Sequence, residues 1–444
     1  MLIRSARQLI GGYARRLYLG LQSEVVEPWI LTWAFSPTRL QKASEGWARL
    51  NSMTELLPTA STLGRIWFHA ASVGELESLW PLILICAERG SELILTVLSE
   101  SADRSLDHLV HELKSRQIKP LFAGYSPWEG KWGRSLDQLR PSLFITARYE
   151  AWPDLWVSLS DRDIPLSIVA ARDRRSLRIA QRLCRWMGRA IPQLLLFPST
   201  DQDKADLEVR FPGARIENVG DPRWDRVFDR GCRGSSRASE LVQAVQGLPR
   251  PWGILGSVWL EDLKFLFPKI LKQSGTVWVV PHRVDSKYTE LIGDLLSKQG
   301  LRVVRTYSSS AAALSQTLRE ADSRTTVVLV NEIGFLSELY SAADWAWVGG
   351  GFGKGIHSAL EPAIHGIPVA VGPRGIQNFP EVQELSGTGQ LTVVSSDPML
   401  ERWVMTARDA SFRLKWESEA KSRLGAALRI YRCLESGTHR TGRS

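Results

Sequence analysis

Three stretches hold residue types that do chemistry, at spacings a folded chain can use. The first is His69-Ala70-Ala71-Ser72-Val73-Gly74-Glu75, where an apolar strand candidate ends near Phe68, Gly74 relieves a turn and Glu75 opens a helix. A carboxylate at that place reads equally as a first-turn residue answering the helix dipole and as a base held above a sheet edge. The second is Val348–Pro373, VGGGFGKGIHSALEPAIHGIPVAVGP: a buried strand, a glycine-rich turn, a helix starting near Ser358 and a further strand. Glycine backbone leaves room for a ligand, and the unbonded N–H groups at a helix start suit a phosphate. Glu361, four residues beyond His357, lies about one turn along that helix, where its carboxylate suits hydrogen bonds from a sugar diol. A purely structural turn would use the same glycines. The pattern is no P-loop, since no Gly-Lys-Ser/Thr follows, and it misses the dinucleotide spacing. The third stretch, Pro281-His282-Arg283, sets two polar side chains at a strand end.

The elements that must position these residues follow a βαβ grammar. Strand candidates at Arg65–Phe68, Leu93–Leu98, Ser142–Thr146 and Leu166–Ala170 alternate with helix-length stretches such as Glu75–Glu88 and Ala102–Lys114. That predicts a parallel, doubly wound sheet with ligands at the carboxyl ends of its strands. Two more segments sit at such ends: Arg148-Tyr149-Glu150-Ala151-Trp152-Pro153, and Ala171-Arg172-Asp173-Arg174-Arg175-Ser176, which opens a helix continuing through Arg178, Arg182, Arg185 and Arg189. A charge run of this kind is ordinarily a solvated face, yet here it suits phosphates or anionic headgroups. The alternation stops near Gly220-Asp221-Pro222, and residues 229–250, rich in Gly, Ser and Pro, read as a linker. A second alternation runs through Gly253–Leu255, Val277–Val280, Arg302–Arg305, Val327–Val330, Trp345–Val348 and Pro368–Val371, and a charged helix from about Ala410 to Leu434 closes the chain. The expected division is thus 1–50, 51–228, a linker at 229–250, 251–410, and a terminal helix and tail at 411–444.

Composition narrows the partners. With 444 residues, 44% apolar and 23% charged, the chain is globular and large enough for two or three cores. Its net charge of +9 favours an anionic partner, with nucleic acid, a membrane surface and a phosphorylated substrate all open. Cys86, Cys184, Cys232 and Cys433 are far apart and show no metal-ligand spacing, as in a reducing compartment. No window is long and apolar enough for a transmembrane helix, and no signal-peptide pattern is present. Residues 1–21 place Leu2, Ile3, Ala6, Leu9, Ile10, Tyr13 and Leu17 on one helical face with Arg4, Arg7 and Arg15 off it; Trp29, Trp33 and Trp47 follow. This reads as an interfacial membrane helix or as a helix packed on the protein's own surface.

Taken together, HAASVGE at 69–75, YEAWP at 149–153, IPLSIVAARDRRS at 164–176, GDPRWD at 220–225, GSVW at 256–259, NEIGFLSELYSAAD at 331–344, GGGFGKGIHSALEP at 349–362 and NFPEVQEL at 378–385 make the chain resemble the 3-deoxy-D-manno-octulosonic acid (Kdo) transferases of lipopolysaccharide synthesis, from roughly residue 1 to 435. The resemblance implies an α/β protein of the GT-B glycosyltransferase architecture, with two facing Rossmann-like doubly wound domains and a cleft between them. It implies an inverting, metal-independent transfer from the donor CMP-Kdo to a phosphorylated lipid A precursor, without cofactor. The place of action would be the cytoplasmic face of the inner membrane, as a peripheral or monotopic protein against an anionic membrane surface, with no nucleic acid. Carried over by motif, Glu75 is the general base, ionised near neutral pH; Ser72 and Gly74 shape its turn, and Arg148, Glu150 and Arg172 lie on the acceptor side. Ser257, His282 and Arg283 contact the CMP portion, Gly350, Gly351, Gly353 and His357 surround its phosphate, Glu361 takes the ribose hydroxyls and Asn378 helps hold the donor. The chain departs from the common family pattern at Arg148 (often Glu), at Pro281-His282-Arg283 (often Pro-Arg-His), at Trp259 (often His) and at Ser358 (often Asn), which marks a divergent branch. Two other readings compete: a nucleotide-sugar epimerase with the same two-domain style, and a non-catalytic binder of lipid A or anionic membrane.

Overall fold

The computed structural model describes residues 41, 44–46, 48–50, 52, 63–127, 131–148, 150–270, 275–306, 316, 326–407 and 411–441. The amphipathic segment expected at 1–21, Trp29, Trp33, Trp47 and Tyr149 lie outside them. The chain forms two compact units, Met1–Arg226 with Gly425–Ser444, and Val227–Leu424.

In the first unit β1 (Arg65–Ala70), α1 (Val73–Glu88), β2 (Glu92–Val97), α2 (Asp103–Ser115), β3 (Phe122–Tyr125), α3 (Trp132–Leu139), β4 (Leu143–Ala147), α4 (Pro153–Ser160), β5 (Leu166–Val169), α5 (Arg175–Trp186), β6 (Leu194–Phe197), α6 (Asp201–Arg210) and β7 (Arg215–Ile216) follow one another. The strands make a seven-stranded sheet in the order β3-β2-β1-β4-β5-β6-β7, parallel throughout. Every residue of β1, β4, β5 and β6 is buried, as runs such as RIWFHA and LFITA require of strands covered by helices on both faces. One layer packs α1 and α2 over Phe68, Leu95 and Ile145; the other packs α3, α4 and α5 over Trp67, Phe144 and Ile168. The strand order reverses between β1 and β4, so a crevice opens beyond their carboxyl ends.

The second unit repeats the scheme. After α7 (Arg223–Arg233) and α8 (Ser236–Val245) come β8 (Trp252–Val258), α9 (Leu260–Ile270), β9 (Thr276–Pro281), α10 (Ser286–Ser297), β10 (Arg302–Arg305), β11 (Thr326–Leu329), α11 (Leu336–Leu339), β12 (Trp345–Val348), α12 (Leu360–Ala363), β13 (Val369–Val371), α13 (Pro380–Thr388), β14 (Leu391–Val393), α14 (Asp397–Thr406) and α15 (Ser411–Ser422), after which α16 (Ala426–Thr441) returns the chain to the first unit. This sheet is also seven-stranded, in the order β10-β11-β9-β8-β12-β13-β14, and its switch point lies between β8 and β12. The α/β expectation with two Rossmann-like parallel sheets therefore holds.

Three local expectations are corrected. Residues 229–250 are no linker. Ser235 accepts the Ala238 N–H at 3.3 Å and caps α8, whose Leu241 and Val245 are buried, so the Gly and Ser residues mark a helix junction. The closing helix is two helices, because Gly425 takes a left-handed φ of 85° between α15 and α16, and α16 belongs to the first unit. The helix expected from Ser358 is only the short α12, starting at Leu360.

Candidate active site

At the first switch point β1 hands the chain to α1. Glu75, buried at 4% exposure, is the third residue of α1, and its Oε2 accepts the N–H groups of Ala71 at 2.6 Å and Ser72 at 3.1 Å. These are backbone donors that the helix start leaves unpaired, so the carboxylate closes one half of a capping box. Burial, then the negative charge of Glu150, push the Glu75 pKa up to about 8 against the opposing pulls of the Ala71 N–H, Arg148 and the Ser72 N–H. The expectation of an ionised carboxylate near neutral pH is thereby corrected: at pH 7 the proton-bound form is favoured. Across from it, at the end of β4, Arg148 holds a left-handed φ of 64° and lays its guanidinium against the start of α1; a methyl on Gly74 would meet it at 3.6 Å. A bulkier residue at 74 would displace that charge. Glu150 accepts the Trp152 indole N–H at 2.8 Å, and burial raises its pKa as well. Arg172 joins through its backbone, donating to the Arg148 carbonyl at 3.2 Å, while its guanidinium pairs with Asp203 at 3.0 Å.

At the second switch point three rings stack. His282, just beyond β9, lies 4.5 Å from the Trp259 ring on one side and 4.5 Å from His357 on the other, at interplanar angles of 26° and 16°. With Lys354, Gly355, Ile356, Gly375, Asn378 and Phe379 they line a pocket of about 330 Å³. The Lys354 ammonium sits 4.6 Å from the Trp259 ring, a cation–π distance. Burial lowers the His357 pKa to about 4, helped by His282; burial, then Lys354 and Arg283, lower that of His282. Both imidazoles are therefore neutral at pH 7, able to donate one N–H and accept at the other nitrogen. The buried Nε2 of His357 has no hydrogen-bond partner.

The glycine-rich loop beside this pocket is held by a residue that sequence reading missed. Asp262, on α9 and fully buried, accepts the N–H groups of Gly350 at 2.7 Å, Phe352 at 3.2 Å and Trp259 at 2.9 Å. The Gly353 and Gly355 N–H groups bond to the Gly350 carbonyl at 3.0 and 2.9 Å. So the amides of Gly350 and Gly353 shape the loop. A side chain at Gly351 would put Cβ 2.4 Å from the Gly372 backbone, which fixes how close β12 and β13 deliver their loops. Ser257, the last residue but one of β8, sits in a bulge with a left-handed φ of 52°, an outlier of the kind that clusters at functional sites.

Of the expected residues, then, Ser72, Gly74, Glu75, Arg148 and Glu150 meet at one sheet edge with Arg172 attached through its backbone, and His282, His357 and Asn378 share one pocket. Arg283 turns to Asp285 at 3.0 Å. Glu361 lies outside the pocket lining, 4.0 Å from Arg230. Lys354 and Trp259, though inside quoted motifs, carried no sequence signal for a wall of the pocket. For Asp262, an acid three residues after Trp259 at a helix start was the available sign.

Residues 39–226 match the family model described as 3-Deoxy-D-manno-octulosonic-acid transferase (kdotransferase). The chain is 25% identical over 380 residues to the 3-deoxy-D-manno-octulosonic acid transferase of Haemophilus influenzae, covering 82% of each chain, and 24% identical to that of Bordetella pertussis, covering 92% of this chain and 94% of the relative. Among solved structures, UDP-GlcNAc 2-epimerase from Neisseria meningitidis superposes with a TM-score of 0.56 at 14% identity, over 83% of this chain and 99% of that one. That likeness is one of fold, the GT-B class.

Proposed function

We propose that the chain is a glycosyltransferase of the 3-deoxy-D-manno-octulosonic acid transferase family, whose model and members it resembles, and that it transfers Kdo from CMP-Kdo to a phosphorylated lipid A precursor, with inversion and without metal or cofactor. The observation that carries the donor half is the pocket at the carboxyl edge of the second sheet, where Lys354 and two neutral imidazoles converge. Lys354 supplies the cation that offsets negative charge on the departing phosphate, and His282 and His357 supply uncharged N–H donors. Asn378 adds an amide. Gly350, Gly351 and Gly353 give the loop its close path, with Ser257 beside it. Glu361 and Arg283 are assigned to the ribose and phosphate surroundings by the family motif.

In the other half, deprotonated Glu75 accepts the proton of an acceptor sugar hydroxyl as that oxygen forms a bond to the anomeric carbon of Kdo. The bond from that carbon to the CMP oxygen breaks, and CMP leaves with the electron pair. Arg148 stabilises the ionised form of Glu75, which burial disfavours. The lipid acceptor implies work at the cytoplasmic face of the inner membrane as a peripheral protein; no helix among the described residues is long and apolar enough to cross a bilayer.

Purified full-length protein given CMP-Kdo and a tetra-acylated lipid A precursor is expected to yield a Kdo-lipid product, counted by mass spectrometry. Glu75→Gln should lower kcat by about 10²–10⁴ while the fold stays intact. Near-wild-type turnover in that variant would remove Glu75 as the base, and conversion of a free sugar nucleotide without lipid would favour an epimerase.

A further inference from the structure

Helix α5 has two faces of opposite character. Leu177, Ala180 and Cys184 face inward and are buried. The outward face carries Arg175, Arg178, Arg182 and Arg185, with Ile179 41% exposed and Trp186 54% exposed on the same side. From Arg174 to Arg189 there is no acidic residue. Arg178 pairs with Asp173 at 2.6 Å, and Arg189 pairs with Asp161. Arg174, Arg175, Arg182 and Arg185 have no ion pair among the described residues. A helix that only faced water would gain nothing from an exposed tryptophan and isoleucine, whose apolar area is unfavourable there. Arginines flanking Trp and Ile is instead the composition of a helix lying in a bilayer interface, cations at the phosphates and the aromatic ring at headgroup depth.

We propose that the outward face of α5 is a docking surface for an anionic phospholipid bilayer, separate from the segment 1–21 and placed within the folded first unit. The helix begins directly beyond the carboxyl end of β5, the sheet edge that also carries Glu75 and Arg148. Docking there sets that edge next to the surface from which a lipid-borne acceptor would come. Nucleic acid is the lesser match, since Ile179 offers a base or phosphate no hydrogen bond and Trp186 is the one aromatic residue of the helix, where a single-stranded site stacks successive bases on several.

The test uses the full chain with Trp186→Cys carrying an environment-sensitive fluorophore. The parent protein treated identically gives the baseline for the four native cysteines, and Glu88→Cys, at the far end of α1, is the control position. On adding vesicles of phosphatidylglycerol and phosphatidylethanolamine, a blue shift and quenching by lipid-borne nitroxide are expected at position 186 and not at 88. Pure phosphatidylcholine vesicles should give neither. In sedimentation with the same vesicles, Arg175→Glu/Arg182→Glu/Arg185→Glu should lower affinity at least about tenfold at low salt, since one arginine near an anionic surface is worth about fivefold. Circular dichroism checks that these variants fold. A label at 186 that stays in water while the protein sediments with vesicles would overturn the proposal, whatever else anchors the chain. So would a label that responds to oligonucleotide and not to lipid.

Discussion

At Glu75 the group that caps α1 is also the group proposed to take a proton, and pH acts on the two roles in opposite directions. Its pKa is raised in the folded protein to about 8, above the ordinary carboxylate value. The folded state therefore holds a proton that the unfolded chain releases, and the stability tied to that proton is full in acid and is lost as pH rises through about 8. A base, by contrast, works only once deprotonated, so kcat/KM should climb with pH and level above about 8. Between pH 6 and 9 the wild type is expected to gain activity while losing melting temperature. Glu75→Gln, which cannot ionise, should remove the pH-dependent part of the melting curve, a difference on the order of a few kcal/mol at alkaline pH. Parallel melting curves for the two proteins across that range would show that Glu75 is not the titrating group.

At the scale of elements, the loop after β12 depends on a carboxylate from α9. Asp262→Ala leaves the N–H groups of Gly350, Phe352 and Trp259 without their acceptor, in an interior that water does not reach. A loss of about 1–3 kcal/mol is expected in denaturant unfolding. Because that loop carries Lys354 and His357, the KM for the sugar-nucleotide donor should rise more than kcat falls. Equal effects on both would argue that Asp262 serves stability alone. Much of the architecture around this loop was legible in advance, since fully buried parallel strands such as Thr276–Pro281 and Trp345–Val348 announce themselves as short apolar or β-branched runs. The strands missed have physical excuses. Phe122–Tyr125 is an edge strand with a glycine, Arg215–Ile216 has two residues, and Leu391–Val393 has three, at the other sheet's edge. Leu194–Phe197, LLLF, is uniformly apolar and carries no period to separate strand from helix. Single side chains that act at a distance in sequence were the least legible. Asp262 and Gly350 are 88 positions apart, and only the sheet order, with β8 beside β12, brings them together.

For the whole molecule the decisive residue is Asp225, in the stretch GDPRWD. Its carboxylate accepts the N–H of Gly425 at 2.5 Å and of Ala427 at 2.8 Å, and Arg429 on α16 donates to the Val219 carbonyl at 3.1 and 2.9 Å. Two units with separate cores are expected to give two transitions in calorimetry. Asp225→Ala should lower the transition of the first unit by about 1–3 kcal/mol, because α16 loses its cap there, and should leave the second where it was. A single transition that shifts as a whole would mean the units melt together.

That one carboxylate also settles how the chain travels. It leaves the first unit just after Asp225 and re-enters at Gly425, the two places held within hydrogen-bonding reach. In polymer terms the second unit is a loop of the first, closed at its neck. The entropy of closing a loop rises by only about 0.6 kcal/mol for each doubling of its length. The second unit can therefore lengthen, shorten or be exchanged for another with almost no consequence for the fold that carries Glu75. The host's stability depends on the neck and hardly at all on the size of its guest.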